Sequence, residues 1–180
     1  DASALVTLHE AMRQLSGALN LAEPRTDRKK TARHKASGLY FLNRGSVVLN
    51  ASDNVSTFAH EIGHAMHEML FPVTRRRLEV GDPRIDLEFP PSWEKELYDL
   101  GKALYGDRKP NVGGYPTEGW AELVRKIIIN PASAKKMAPT VYREAVSMMV
   151  TRYPEAWTAL ELFRARLKYA MAPGQPPLGM

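Results

Sequence analysis

The chain has no cysteine among its 180 residues. Disulfides and thiolate metal ligands are therefore excluded, and a zinc site here has only His, Asp and Glu to draw on. A cysteine-free chain is also compatible with a reducing compartment. No apolar run approaches the ~18 residues that a membrane-spanning helix needs, so no membrane partner is expected. No segment repeats another. There is no initiator Met before Asp1-Ala2-Ser3 and no signal peptide, which gives the expectation of a processed product or a piece of a larger polypeptide, cytoplasmic in location. What is present is ordinary for a globular protein: 44% hydrophobic and 25% charged residues, in a length suited to one domain with its own core. The expected organisation is one domain over 1–172 and a flexible tail over 173–180.

The net charge of +5 is unevenly spread. Arg25, Arg28, Lys29, Lys30, Arg33 and Lys35 are opposed only by Asp27, and Arg75-Arg76-Arg77 form a second cluster. Such runs contact nucleic acid or an acidic partner, or are solvated loops. No aromatic residue interleaves with the first run and no groove-reading module is visible, which favours the solvated loop over nucleic acid.

Apolar spacing predicts a mostly helical α+β chain. Leu5, Leu8, Met12, Leu15 and Leu19 share one face of a helix over Ala4–Leu19. The basic stretch Glu23–Ser37 reads as a loop. Gly38–Leu42 and Ser46–Asn50 are short β-prone runs around Asn43-Arg44-Gly45, a hairpin signal. A helix follows, with Asp53 or Asn54 as its cap and Phe71-Pro72 at its end. The Pro-rich stretch Val80–Pro91 reads as irregular. Ser92 can cap a helix to Tyr105, closed by Gly106. After a loop at Asn111–Pro116, helices are expected over Thr117–Ile129, Ser133–Met137, Thr140–Arg152 and Glu155–Tyr169, punctuated by Pro131, Pro139 and Pro154. The strand Val47–Leu49 is either an edge able to pair with a peptide or a cover for the next helix.

The helix after the hairpin carries His60-Glu61-Ile62-Gly63-His64. Residues four apart lie one turn apart on one face, so His60 and His64 can address one ion, and paired imidazoles suit zinc. Glu61 lies about 100° round the helix, within reach of a metal-activated water without being a ligand. This is the layout of a zinc hydrolase. The surrounding Val55, Phe58, Ala59, Ile62, Ala65, Met66 and Met69 keep the helical period.

A hydrolytic zinc site usually has three protein ligands and water. The metzincin pattern needs a histidine where Leu70 stands, so that class is excluded. His67 is two turns from His60, too far along the axis to share its ion easily, and reads as a pocket-rim or substrate-contact residue or simply a polar helix position. Glu118 and Glu122 share a face of the expected helix Thr117–Ile129. One carboxylate of such a pair can ligate zinc while the other accepts the N–H of a ligand histidine, with Glu118 the favoured ligand. Taken alone, the pair reads as two solvated glutamates favoured by the helix dipole. Trp120 and Leu123 are expected to face the core.

Thr57-Phe58-Ala59-His60-Glu61-Ile62-Gly63-His64 together with Glu118-Gly119-Trp120-Ala121-Glu122 resembles the gluzincin endopeptidases related to the anthrax lethal factor catalytic domain. The likeness spans Gly38 to Tyr169 in element order and is specific at the two motifs. The chain also looks, more loosely, like peptidase domains embedded in polyvalent proteins of phages and mobile elements. The resemblance implies a zincin-like metallopeptidase with a small sheet beside the motif helix. It implies Zn2+ held by His60, His64 and Glu118, Glu61 as general base, Glu122 behind a ligand histidine, and a protein or peptide substrate. That family has an oxyanion-stabilising tyrosine seven residues before the glutamate ligand. Asn111 stands there in this chain, so Tyr115 is expected to take the role, with Tyr105 the other candidate. The rival expectation is a non-catalytic zinc-stabilised module that binds nucleic acid or a partner protein through the basic segments.

Overall fold

A computed structural model of the chain describes residues 2–33, 37–41, 45–50, 54–71, 89–108, 110 and 114–170. Eight helices and three short strands are found among them. The helices are α1 (Ala2–Ala18), α2 (Arg28–Arg33), α3 (Val55–Leu70), α4 (Glu94–Tyr105), α5 (Gly114–Ile129), α6 (Pro131–Met137), α7 (Pro139–Arg152) and α8 (Pro154–Ala170). The strands are β1 (Arg25–Thr26), β2 (Gly38–Phe41) and β3 (Ser46–Leu49). The expected α+β, mostly helical class is therefore found. No helix among the described residues is long and apolar enough to cross a membrane.

The strand order is β1-β3-β2. β2 pairs antiparallel to β3, with Tyr40 opposite Val47, as the hairpin signal predicts; β1 pairs parallel to β3, with Arg25 opposite Val48. β3 is thus the central strand, and the edge reading of Val47–Leu49 is corrected. Val47, Val48 and Leu49 are all buried. An alternating strand exposes one face, but this all-apolar run needs cover on both. The edge strand beside α3 is β2.

The basic stretch is not a plain loop. Asp27 Oδ1 accepts the Lys30 N–H, and the Thr31 hydroxyl donates to the Asp27 carbonyl, so Asp27 starts the short α2. Thr31 is buried beneath that turn, while Arg28, Lys29 and Arg33 are exposed and Lys30 is half-buried. The triplet at 75–77 and the tail at 173–180 lie outside the described residues, as do the side chain of Leu5, Lys35, Asp53, Pro72, the turn at 42–44 and the stretch 80–88.

Helix ends follow local chemistry. Asn54 caps α3 by accepting the Thr57 N–H at 3.0 Å, worth about 1 kcal/mol. Pro131, Pro139 and Pro154 each occupy the first position of a helix, where a missing N–H costs nothing. Ser92 is not the cap of α4: Pro91–Trp93 form a 3-10 turn leading into it. α5 begins at Gly114 rather than Thr117, because Pro116 is tolerated in a first helical turn.

The core joins α1, α3, α5 and α8 through Leu8, Leu15, Phe58, Ile62, Leu123, Leu160 and Phe163. Fully burying side chains of this size stabilises by about 1.5–3 kcal/mol each. α5 packs most extensively, against α4 and α3. Both contacts are backbone-close. A Cβ on Gly63 would meet the Ala121 backbone, and Cβ atoms on Gly101 and Gly119 would meet the Tyr115 and Leu97 backbones. The indole N–H of Trp120 donates to the Gly63 carbonyl at 2.8 Å, pinning the α3–α5 crossing. Trp120 and Leu123 face the core as expected.

Candidate metal centre

The α3–α5 crossing decides which side chains meet. Gly63 sits between the two motif histidines in sequence and lets α5 approach closely enough for Glu118 to reach both. His60 Nε2 lies 3.1 Å from Glu118 Oε2, and His64 Nε2 lies 3.7 Å from the same oxygen. The imidazole rings are 5.1 Å apart and nearly perpendicular. One donor atom from each of His60, His64 and Glu118 lies within 4.8 Å of the others.

These residues fit a metal. Donors around a tetrahedral zinc with bonds of about 2.0–2.1 Å lie about 3.3–3.4 Å apart. The 3.1 and 3.7 Å separations straddle that value. Both imidazoles present the same nitrogen, Nε2, toward the carboxylate. The other nitrogen of His60, Nδ1, lies 4.0 Å from Glu122 Oε2. Glu122 in turn is gripped by Arg125 at 2.6 and 2.7 Å.

Charge balance follows from burial and neighbours. Burial opposes charge on His60, but its hydrogen bond to Glu118 and the nearby Glu61, Glu118 and Glu122 carboxylates hold its pKa above the ordinary value. Burial pushes His64 down to about 4, keeping it neutral and able to ligate. Glu118 and Glu122 are buried against ionisation, yet His60 and Arg125 respectively hold them below the usual carboxylate range.

Glu61 is buried beside this cluster, and β2 runs over it. The backbone N–H of Tyr40 donates to the Glu61 carboxylate, while the Tyr40 hydroxyl donates to Glu68 at 2.6 Å. Burial pushes the Glu61 carboxyl up to about 7; the His60 charge and the Tyr40 N–H pull against this and Glu118 adds to it. A carboxyl balanced near neutrality is suited to taking and returning a proton.

The two candidate tyrosines part company. The Tyr115 hydroxyl donates to the Gly106 carbonyl at 3.0 Å, and its ring lies edge-on to Tyr98 and under Lys102, so it is engaged with α4 and the turn after it. The Tyr105 hydroxyl is hydrogen-bonded to Glu118, and burial with the Glu118 and Glu61 charges raises its pKa, keeping it a donor. Tyr105 follows Gly101 by one turn of α4. The face that meets α5 at Gly101 therefore also aims Tyr105 at Glu118. Asn111 lies outside the described residues.

His67 departs from its expected place at a pocket rim or on a polar surface. It is 1% exposed and stacks on Phe89 at 4.1 Å, with Phe71 and Trp120 around it. Neither ring nitrogen has a hydrogen-bond partner among the described residues. Burial holds its pKa down at about 3. Aromatic residues from Phe89 to Trp93 close over a helix face that the local sequence leaves open.

Arg125 and Ser56 went unmarked in the sequence. The signal available was the Glu122–Arg125 spacing of three, which places the two on neighbouring helix positions. Ser56 carried none. No protein-family model, curated protein or solved structure matches this chain.

Proposed function

We propose that the protein is a zinc-dependent endopeptidase of gluzincin type, with His60, His64 and Glu118 holding Zn2+. The observation that carries this reading is the convergence of two imidazoles and one carboxylate on one point, with the Glu61 carboxyl beside them and outside the ligand set. Zinc bound there would supply Lewis-acid polarisation of a peptide carbonyl and acidify the attacking water. Glu61 accepts the proton from that water and delivers it to the departing amine. The Tyr40 N–H holds the Glu61 carboxylate in place between these transfers. Tyr105, a protonated phenol held at the site by Glu118, would turn its O–H to the developing oxyanion, in preference to Tyr115, whose hydroxyl lies on the Gly106 carbonyl. Glu122 Oε2, 4.0 Å from His60 Nδ1, would close onto that N–H when the metal is bound and leave Nε2 to ligate.

The test is cleavage of a peptide library by the zinc-loaded protein. Glu61→Gln is expected to keep stoichiometric zinc and lose turnover. Turnover surviving in clean Glu61→Gln protein would end the proposed mechanism. A salt-dependent nucleic-acid shift, unchanged by Glu61→Gln and unaccompanied by cleavage, would replace the reading with the zinc-stabilised binding module. Tyr105→Phe is expected to lower kcat by about 10²-fold with zinc retained, whereas Tyr115→Phe leaves kcat near the parent value.

A further inference from the structure

Glu122 is held from several sides. Arg125, three residues on along α5, makes a two-pronged bond to it: Nη2 to Oε1 at 2.6 Å and Nε to Oε2 at 2.7 Å. The remaining arm of the same guanidinium, Nη1, donates to Ser56 Oγ at 3.1 Å. Ser56 lies in the first turn of α3, one turn before His60. Lys126 adds a looser contact, 3.5 Å from Glu122 Oε1. On its other side Glu122 Oε2 faces His60 Nδ1 at 4.0 Å. One guanidinium thus joins the helix that carries Glu122 to the helix that carries His60.

A fork of this kind fixes the plane of a carboxylate as well as its charge. A lysine supplies the charge alone. The plane matters because an imidazole keeps its metal-directed orientation when its other N–H has a fixed acceptor. With the fork removed, the Glu122 carboxylate can rotate toward Lys126 and solvent, and His60 loses its aim.

We propose that Arg125 is a positioning residue of the metal centre: through its fork to Glu122 and its bond to Ser56 it orients His60 and sets the affinity for the ion. This rests on His60, His64 and Glu118 being a zinc site. Arg125 itself touches neither ion nor substrate.

The experiment measures Zn2+ affinity of the full chain by competition with a chromophoric chelator at fixed pH, and the thermal midpoint of each metal-free variant alongside. Arg125→Met is expected to weaken zinc binding about tenfold, and Arg125→Lys to recover only part of the loss. Glu122→Gln is expected to weaken binding by at least as much. The Arg125→Met/Glu122→Gln double variant is expected to lose no more than Glu122→Gln alone, since Arg125 acts through Glu122. Lys126→Met, which removes equal charge without the fork, is expected to change affinity by less than about twofold. A residue that merely staples α3 to α5 would lower the midpoint and leave zinc affinity intact; that result overturns the inference, as do losses that add in the double variant. Should Arg125→Met fail to fold, Arg125→Lys and Ser56→Ala decide by the same readout. A parent protein without zinc affinity overturns the metal centre itself, whereas parental affinity that the Arg125 variants share overturns only the role of Arg125.

Discussion

His67 carries two ring nitrogens into an aromatic cluster where neither finds a hydrogen-bond partner among the described residues. Its pKa of about 3 in the fold is below the ordinary imidazole value of about 6.5 in the unfolded chain. Between those limits the unfolded state binds the extra proton. The contribution is therefore intact above pH 6.5 and is lost as pH falls toward 3. Between pH 7.5 and 5 the group alone should remove about 2 kcal/mol of stability. His64, depressed to about 4, adds a slope of the same sign, so the comparison has to be between parent and variant. His67→Phe, which keeps an aromatic ring against Phe89, should flatten the acid limb of urea midpoints measured across that range. An unchanged limb would assign the acid sensitivity elsewhere.

At the scale of single residues, the placement of the motif histidines on one helix face with Glu61 beside it is legible, because that spacing needs only a helix. The approach of Tyr105 to Glu118 is not legible in the sequence, because it depends on α4 lying backbone-close to α5 through Gly101 and Gly119. Nothing in a one-dimensional pattern carries that distance. His67 was misplaced because the residues that bury it come from Phe89 onward and from α5, far along the chain.

Among the elements, the α3–α5 crossing governs the site. Gly63→Ala would drive a methyl group into the Ala121 backbone. The helices must separate, carrying Glu118 away from both histidines and straining the Trp120 bond to the Gly63 carbonyl. The expected cost is about 2 kcal/mol in denaturant unfolding, with a fall in zinc affinity beside it. A variant with parental stability and zinc binding would show that the crossing can relax without moving the donors. Helix boundaries were readable wherever a proline or an Asn cap marks them, at Asn54, Pro131, Pro139 and Pro154. The sheet was readable only as a hairpin. β1 is two residues long and exposed, so it carries no period, and only its parallel pairing makes β3 central. α2 escaped notice for a related reason: its six residues are basic throughout apart from Thr31 and Ala32, and a single Asp27 cap starts it.

For the whole molecule, the proposed metal would be linked to folding. An ion that binds only the folded chain stabilises it by about 2.7 kcal/mol at a hundredfold excess over its Kd. For a chain of this size that should raise the thermal midpoint by about 5–10 °C, reversibly on adding a chelator. Glu61→Gln should retain the shift, because Glu61 is outside the ligand set, and Glu118→Ala should lose it. A midpoint indifferent to zinc would remove the metal from the account of this fold. The basic face of α2 and the α5 site were both visible in composition and spacing, but which of them meets a partner is decided by the binding experiments above.

The stacked indoles of Trp93 and Trp120 have a consequence of another kind. They lie 5.8 Å apart at 7° to one another, wholly buried, with Trp120 two residues from Glu118 and bonded to the carbonyl between the motif histidines. The pair is an optical probe already installed at the crossing. Any displacement of α5 against α3 alters the asymmetric surroundings of both chromophores, so near-ultraviolet circular dichroism can follow the site without a label, a substrate or a change of sequence.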